Sequence, residues 1–190
     1  MGSSLSVQVN APQVVNHFSA IFAGDDRLRL TWAPFEIINA TKNLLQTAWG
    51  LQNTIEQKNF VEFKLKGTPF YPFLRTDNKF KHFMCTLMKE YYSLGWHFKV
   101  SSNLKLIGSS TDVVIFEKND KIHTNMMCIS LHSSDKIIVI ASKKVIELVR
   151  NTIMKTWHLG IQKEEEVANG WQFKLKGAPW GSWLVEFYLF

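Results

Sequence analysis

One stretch of this chain is written twice. Phe63-Lys64-Leu65-Lys66-Gly67-Thr68-Pro69-Phe70 returns as Phe173-Lys174-Leu175-Lys176-Gly177-Ala178-Pro179-Trp180, and Gly50-Leu51-Gln52 returns ahead of it, at the same spacing, as Gly160-Ile161-Gln162. A run of consecutive identities at a fixed offset marks a duplicated structural unit. The match extends upstream as pattern: Asp26-Arg27-Leu28-Arg29-Leu30 aligns with Asp135-Lys136-Ile137-Ile138-Val139. The copies span residues 14–70 and 125–180.

Each copy reads strand, strand, helix, strand. In the first, Ile37, Ile38, Leu44, Leu45, Ala48 and Trp49 fall on one helical stripe, with Pro34 near the first turn, where a missing N–H costs nothing. In the second, Ser142 is a cap candidate for a helix carrying Val145, Ile146, Val149, Ile153 and Trp157. Between the copies, Asp77 precedes a helical spacing of Phe80, Phe83, Met84, Leu87, Tyr91 and Leu94 that Gly95 ends. Two strands follow, Trp96 to Ser101 and Thr111 to Glu117, around a turn at Gly108-Ser109-Ser110. Trp183 to Phe190 reads as a last strand or a packed tail. The expected fold class is α+β: a mostly antiparallel sheet with about three helices packed on one face, in the order ββαβ–αββ–ββαβ. Residues 1–12 read as a flexible leader and 13–190 as one domain.

Two strands are apolar on both sides, Ile137 to Ile140 and Val113 to Phe116. Something must cover the second face: another layer, a dimer partner, a bound apolar ligand or the C-terminal segment.

In the repeated strand, Phe63, Leu65, Phe173 and Leu175 face the helices, whereas Lys64, Lys66, Lys174 and Lys176 face outward. The motif reads as a strand, a tight turn and a hydrophobic plug with the lysines as solubilising charges, or as a surface on which the lysines, with Phe70, Tyr71, Trp180 and Trp183 just past the glycine bend, contact lipid headgroups or a nucleic-acid backbone. The formal charge of +6, from 22 Lys and Arg against 16 Asp and Glu, permits such a partner without requiring one.

The chain opens Met1-Gly2-Ser3-Ser4-Leu5-Ser6, which fits removal of Met1 and myristoylation of Gly2. A single myristoyl chain anchors reversibly, so a second contact is needed, and the lysine strands are the candidates. No cysteine lies near Gly2, and the first basic residue is Arg27.

Other chemistries find little footing. No apolar run reaches the length of a membrane-spanning helix, and no secretory leader precedes the domain. Cys85 and Cys128 read as buried free thiols. His123, Cys128 and His132 are close in sequence, but positions 128 and 132 of one strand lie about 13 Å apart, too far to share a metal ion. Nucleophile elbows, Walker loops and dinucleotide fingerprints are missing, and Asp25-Asp26 and Glu164-Glu165-Glu166 read as solvated charges. No cofactor is expected.

The modules Gly-Ile-Gln and Phe-Lys-Leu-Lys-Gly-Ala-Pro-Trp, the Gly95-Trp96 pair after a helix and the segment from Ser102 to Phe116 together resemble a family of eukaryotic cytosolic proteins built from such repeats. The resemblance covers most of residues 35–120 and 143–180, with Phe70 standing where the family has Trp. It implies the fold unit and a eukaryotic origin, and it transfers no activity and no site residues.

The expected function is that of a non-enzymatic, N-myristoylated adaptor, peripheral on the cytoplasmic face of a membrane, with a protein partner. The alternatives are a basic, aromatic-rich nucleic-acid binder and a carrier of a small apolar ligand.

Overall fold

The computed structural model describes residues 16–70, 78–106 and 109–181, without the side chains of 103–110. Ten strands and three helices alternate among the described residues: β1 (His17–Ala23), β2 (Arg27–Thr31), α1 (Phe35–Ala48), β3 (Leu51–Glu56), β4 (Phe60–Leu65), α2 (Asn78–Ser93), β5 (Trp96–Leu106), β6 (Ser109–Lys118), β7 (Cys128–His132), β8 (Lys136–Ile140), α3 (Lys143–Thr156), β9 (Ile161–Val167) and β10 (Gly170–Leu175). Every strand pairing is antiparallel. The class is α+β and the duplication is real: β3-β4-β2-β1 recurs as β9-β10-β8-β7, and β6 and β5 extend the first copy into a six-stranded sheet beside the four-stranded second one.

Each copy has one strand more than its sequence pattern gives. β3 and β9 are edge strands whose residues are mostly exposed, so nothing in them alternates between apolar and polar. The strands also divide into two sheets, and the helices are not all on one face.

Phe18, Phe22, Leu28, Leu30, Phe63 and Leu65 of the six-stranded sheet pack under Ile37 and Leu45 of α1 and Phe83, Leu87 and Tyr91 of α2. Phe18 is the hub of the aromatic packing, stacked on Phe116 at 4.8 Å and meeting Tyr91 and Trp96 edge-on at 5.4 and 5.1 Å. The two helices are tied by Thr41, whose Oγ1 donates to Ile37 O and lies 2.7 Å from the Tyr91 hydroxyl.

In the second copy, Val139, Phe173 and Leu175 pack on Ile153 of α3. The other face of that sheet meets α2, which touches both β7 and β8. The doubly apolar strand is thereby explained: Ile137 and Val139 look toward α3, while Ile138 and Ile140 pair across the register with Ser130 and Cys128 and are buried beneath α2. The second layer is a helix of the protein itself. α2 thus serves both sheets, and the two copies stack through it. In the first copy the equivalent sheet face is charged: Glu62, almost fully buried, is gripped by Arg27 at 3.1 Å and by Arg29 at 3.0 and 2.6 Å.

Helix limits follow local chemistry. Pro34 and Ser142 occupy the cap positions of α1 and α3, and neither supplies a side-chain cap bond, so Ser142 is not the hydrogen-bonding cap its sequence position suggests. Gly95 follows α2 at φ +81°, and a Cβ there would come within 2.6 Å of Asn119 O, so only glycine fits. Asp77 and Trp183 to Phe190 lie outside the described residues.

Candidate functional site

The repeated motif forms the end of β4 and of β10, and the same bonds hold it in both places. Leu65 N donates to Asp26 O at 2.8 Å and Leu175 N to Asp135 O at 2.7 Å. Lys66 N reaches Gly50 O, and Lys176 N reaches Gly160 O, each at 3.1 Å. Phe70 N donates to Asp25 O and Trp180 N to Ser134 O, which fastens the chain to the hairpin turn of its own copy. The motif is therefore a clasp between the β1–β2 turn (β7–β8 in the second copy), the end of the first helix and the last strand. Its paired glycines, Gly67 and Gly177, bend the chain at φ +73° and +78°.

The clasp uses part of the lysine set. Lys64 Nζ lies 3.9 Å from Asp26 and Lys174 Nζ 3.8 Å from Asp135, a pair in each copy. Lys66 and Lys176 are exposed. The lysines form two pairs, one on each sheet, so no single strand surface carries all four.

Among the aromatic candidates, Phe70 is no surface contact. It is fully buried, edge-on to Phe22 at 5.2 Å and Phe80 at 6.0 Å, because the glycine bend drives it into the core. Trp180 is half-buried, and its indole donates to Ser133 O at 2.6 Å. Tyr71 and Trp183 lie outside the described residues, as does Gly2.

A cluster of reactive side chains sits on the seam between the copies. Cys128, Ser130 and His132 alternate along one face of β7, toward Lys81 and Cys85 of α2. Lys81, nearly fully buried, places Nζ 2.8 Å from His132 Nε2, and Ser130 Oγ is 3.2 Å from the same nitrogen. Burial pushes the Cys85 thiol up to about 12, and the nearby Cys128 adds to it. Burial also raises Cys128, against the opposing charge of Lys81. Both thiols are free and held protonated, the opposite of an activated nucleophile. Among the described residues no group of three or more His, Cys, Asp and Glu is placed to hold a metal ion. A cleft of about 70 Å³ between Met84, Met88, Tyr92, Phe98 and Met127 is apolar but far below the several hundred Å³ of a ligand pocket.

The sequence reading missed a feature at one end of the six-stranded sheet. Trp32, in the β2–α1 connection, and Phe35, the first residue of α1, are 53% and 75% exposed. Trp32 holds a left-handed backbone at φ +58°, with its N–H bonded to Asn59 O at 2.9 Å. The chain enters β1 at this same end: Ser19 pairs with Thr31, His17 with Glu117, and Lys118 N donates to Asn16 O. Here Lys99 bonds Glu117 at 2.8 Å, holding that carboxyl below its usual range, and Lys118 lies 3.9 Å from Glu36. A signal was present in the repeat itself, since copy two has no aromatic at the corresponding connection. No helix among the described residues is long and apolar enough to cross a membrane.

Among solved structures, the chain is similar to a conserved kinetoplastid-specific protein from Trypanosoma cruzi, at 13% identity and a TM-score of 0.39, over 54% of this chain and 94% of that one. No curated protein matches it. One domain-family model matches twice, over residues 16–117 and 125–186, the two stretches that the sheets and the clasps define. The chain belongs to that domain family and carries its domain in two copies.

Proposed function

We propose that the chain is a non-enzymatic adaptor, peripheral on the cytoplasmic face of a membrane, tethered by a myristoyl group on Gly2. The observation that carries this reading is the opening Met1-Gly2-Ser3-Ser4-Leu5-Ser6, with a slender, uncharged leader and a hydroxyl at the favoured position. The scaffold supports it in a plain way. The two thiols of the seam are held protonated by burial, and the two-sheet body offers broad surfaces to a protein partner. Lys66 and Lys176 are the exposed members of the repeated lysine set and are available to anionic headgroups.

The test is the Gly2→Ala variant in eukaryotic cells, followed by fractionation. Loss of the wild-type membrane fraction supports the reading, and an unchanged distribution removes it. The nucleic-acid alternative gains nothing from the geometry, since Phe70 is in the core and not free to stack on a base.

A further inference from the structure

We infer that Trp32 and Phe35 form an aromatic wedge that enters the lipid–water interface as the second membrane contact beside the acyl chain; this rests on the tethered reading above. A lone myristoyl chain gives only reversible binding, so a second contact is required.

Position is the first argument. Pairing of Ser19 with Thr31 puts Trp32 one strand away from the point where residues 16 and 17 enter β1, about 5 Å sideways. Residue 16 and the wedge share one end of the sheet. Lys64 is at the other end, opposite Arg27, about 13 Å along the strand from Thr31.

The duplicated fold supplies the second argument, because it contains its own control. Between the last strand residue and the helix cap, copy one carries Trp32 and Ala33 between Thr31 and Pro34, whereas copy two carries Ala141 alone between Ile140 and Ser142. The first helical residue is Phe35 in one copy and Lys143 in the other. The fold closes this connection without aromatics, so packing does not demand Trp32 or Phe35. Copy one nevertheless holds a tryptophan in a left-handed conformation that L side chains rarely adopt, pinned through Asn59 and pointing a large apolar ring at solvent. Tryptophan is the residue type that settles at headgroup depth.

The contact assigned to Trp32 and Phe35 is the apolar one. Beside it Lys118 is matched by Glu36, while Lys58 lines the same cleft as Trp32, so partitioning is expected to vesicles with and without anionic lipid.

The experiment uses full-length protein acylated at Gly2, verified by mass, with vesicles of phosphatidylcholine alone and with added phosphatidylserine. The Trp32→Gly/Phe35→Ser variant is expected to lose at least about tenfold in partitioning to both, since two interfacial aromatics go. Its thermal melt should stay at the wild-type position, as glycine suits φ +58°. Phe35→Ser alone, at a 75% exposed position that cannot upset folding, should show part of the loss. Trp32→Phe should keep partitioning yet lose much of the tryptophan quenching by lipids brominated near the headgroup. Acylated variants that partition like wild type would overturn the wedge and leave the tether standing. Acylated wild type that ignores both vesicle types would overturn the tethered reading, and the wedge with it. Binding that collapses between about 0.1 and 0.5 M salt would give the contact to the lysines instead.

Discussion

Lys81 Nζ meets His132 Nε2 at 2.8 Å, and this contact joins the linker helix to the first strand of the second copy. Ser130 Oγ lies 3.2 Å from the same ring nitrogen, so three side chains meet at this point of the seam. Lys81→Ala is expected to cost about 2 kcal/mol, as it strips a charge-assisted bond from a buried seam. Urea unfolding followed by amide exchange checks it, and protection should fall first in β7 and β8.

The two copies depend on each other unequally. Among the described residues the second has Val139, Ile153, Phe173 and Leu175 as its buried cluster, and Cys128, Ile138 and Ile140 are covered from outside by α2. A fragment of residues 125–190 is therefore expected to stay unfolded alone, and one beginning at residue 78 is not a substitute, since α2 also needs the first sheet. Far-ultraviolet circular dichroism of the 125–190 fragment is the check, and a cooperative melt from it would contradict the stacking described.

On the face of the first sheet away from its helices, Glu62 serves two arginines at once. Glu62→Ala leaves Arg27 and Arg29 facing each other without their shared anion. The expected loss is about 2 kcal/mol, with Glu62→Gln retaining part of it. Denaturant midpoints at low and high salt measure both, and the gap between variants should narrow in salt.

How much of this was legible beforehand divides along physical lines. The clasp was legible because Phe63, Leu65 and their counterparts Phe173 and Leu175 must be buried on alternate positions, which leaves a pattern. Strands β3 and β9 were not, since Leu51–Glu56 and Ile161–Val167 are edges held by backbone bonds that any side chain permits. The apolar faces of Ile137 to Ile140 signalled a cover, but not which element supplied it. That choice is made by α2, whose Lys81 and Cys85 look away from the first core, and helical spacing alone does not say what a second face meets. For Phe70 the plug reading holds and the surface reading fails, because a positive-φ glycine ahead of it reverses the chain inward. Trp32 escaped notice because one residue in a connection has no period.

Glu164 gives the chain an acid limit. Burial raises its carboxyl, but the hydrogen bonds from Arg150 at 2.8 Å and Trp171 at 2.9 Å, with the arginine's charge, outweigh that and hold it below the ordinary 4.5. The folded state then binds fewer protons than the unfolded one, so the contribution is complete above about 4.5 and is lost as pH falls through the lower folded value. Glu164→Gln should lower stability at neutral pH and flatten its decline in acid, as read from thermal melts across pH 2–7.

Cys85 sets a matching limit in alkali. With its thiol pushed up from the ordinary 9.0 to about 12, the folded state keeps a proton that the unfolded state releases. That contribution is full below about 9 and is lost as pH rises toward 12. Iodoacetamide at about pH 8 should leave Cys85 and Cys128 unmodified in folded protein and label both in urea, as peptide mass mapping would show.

The tether itself is tested most directly by the intact mass of the protein purified from eukaryotic cells. A mature chain without Met1 and heavier by one myristoyl group, with the modification mapped to Gly2, is the expected result. A chain whose Gly2 is free or acetylated would contradict it.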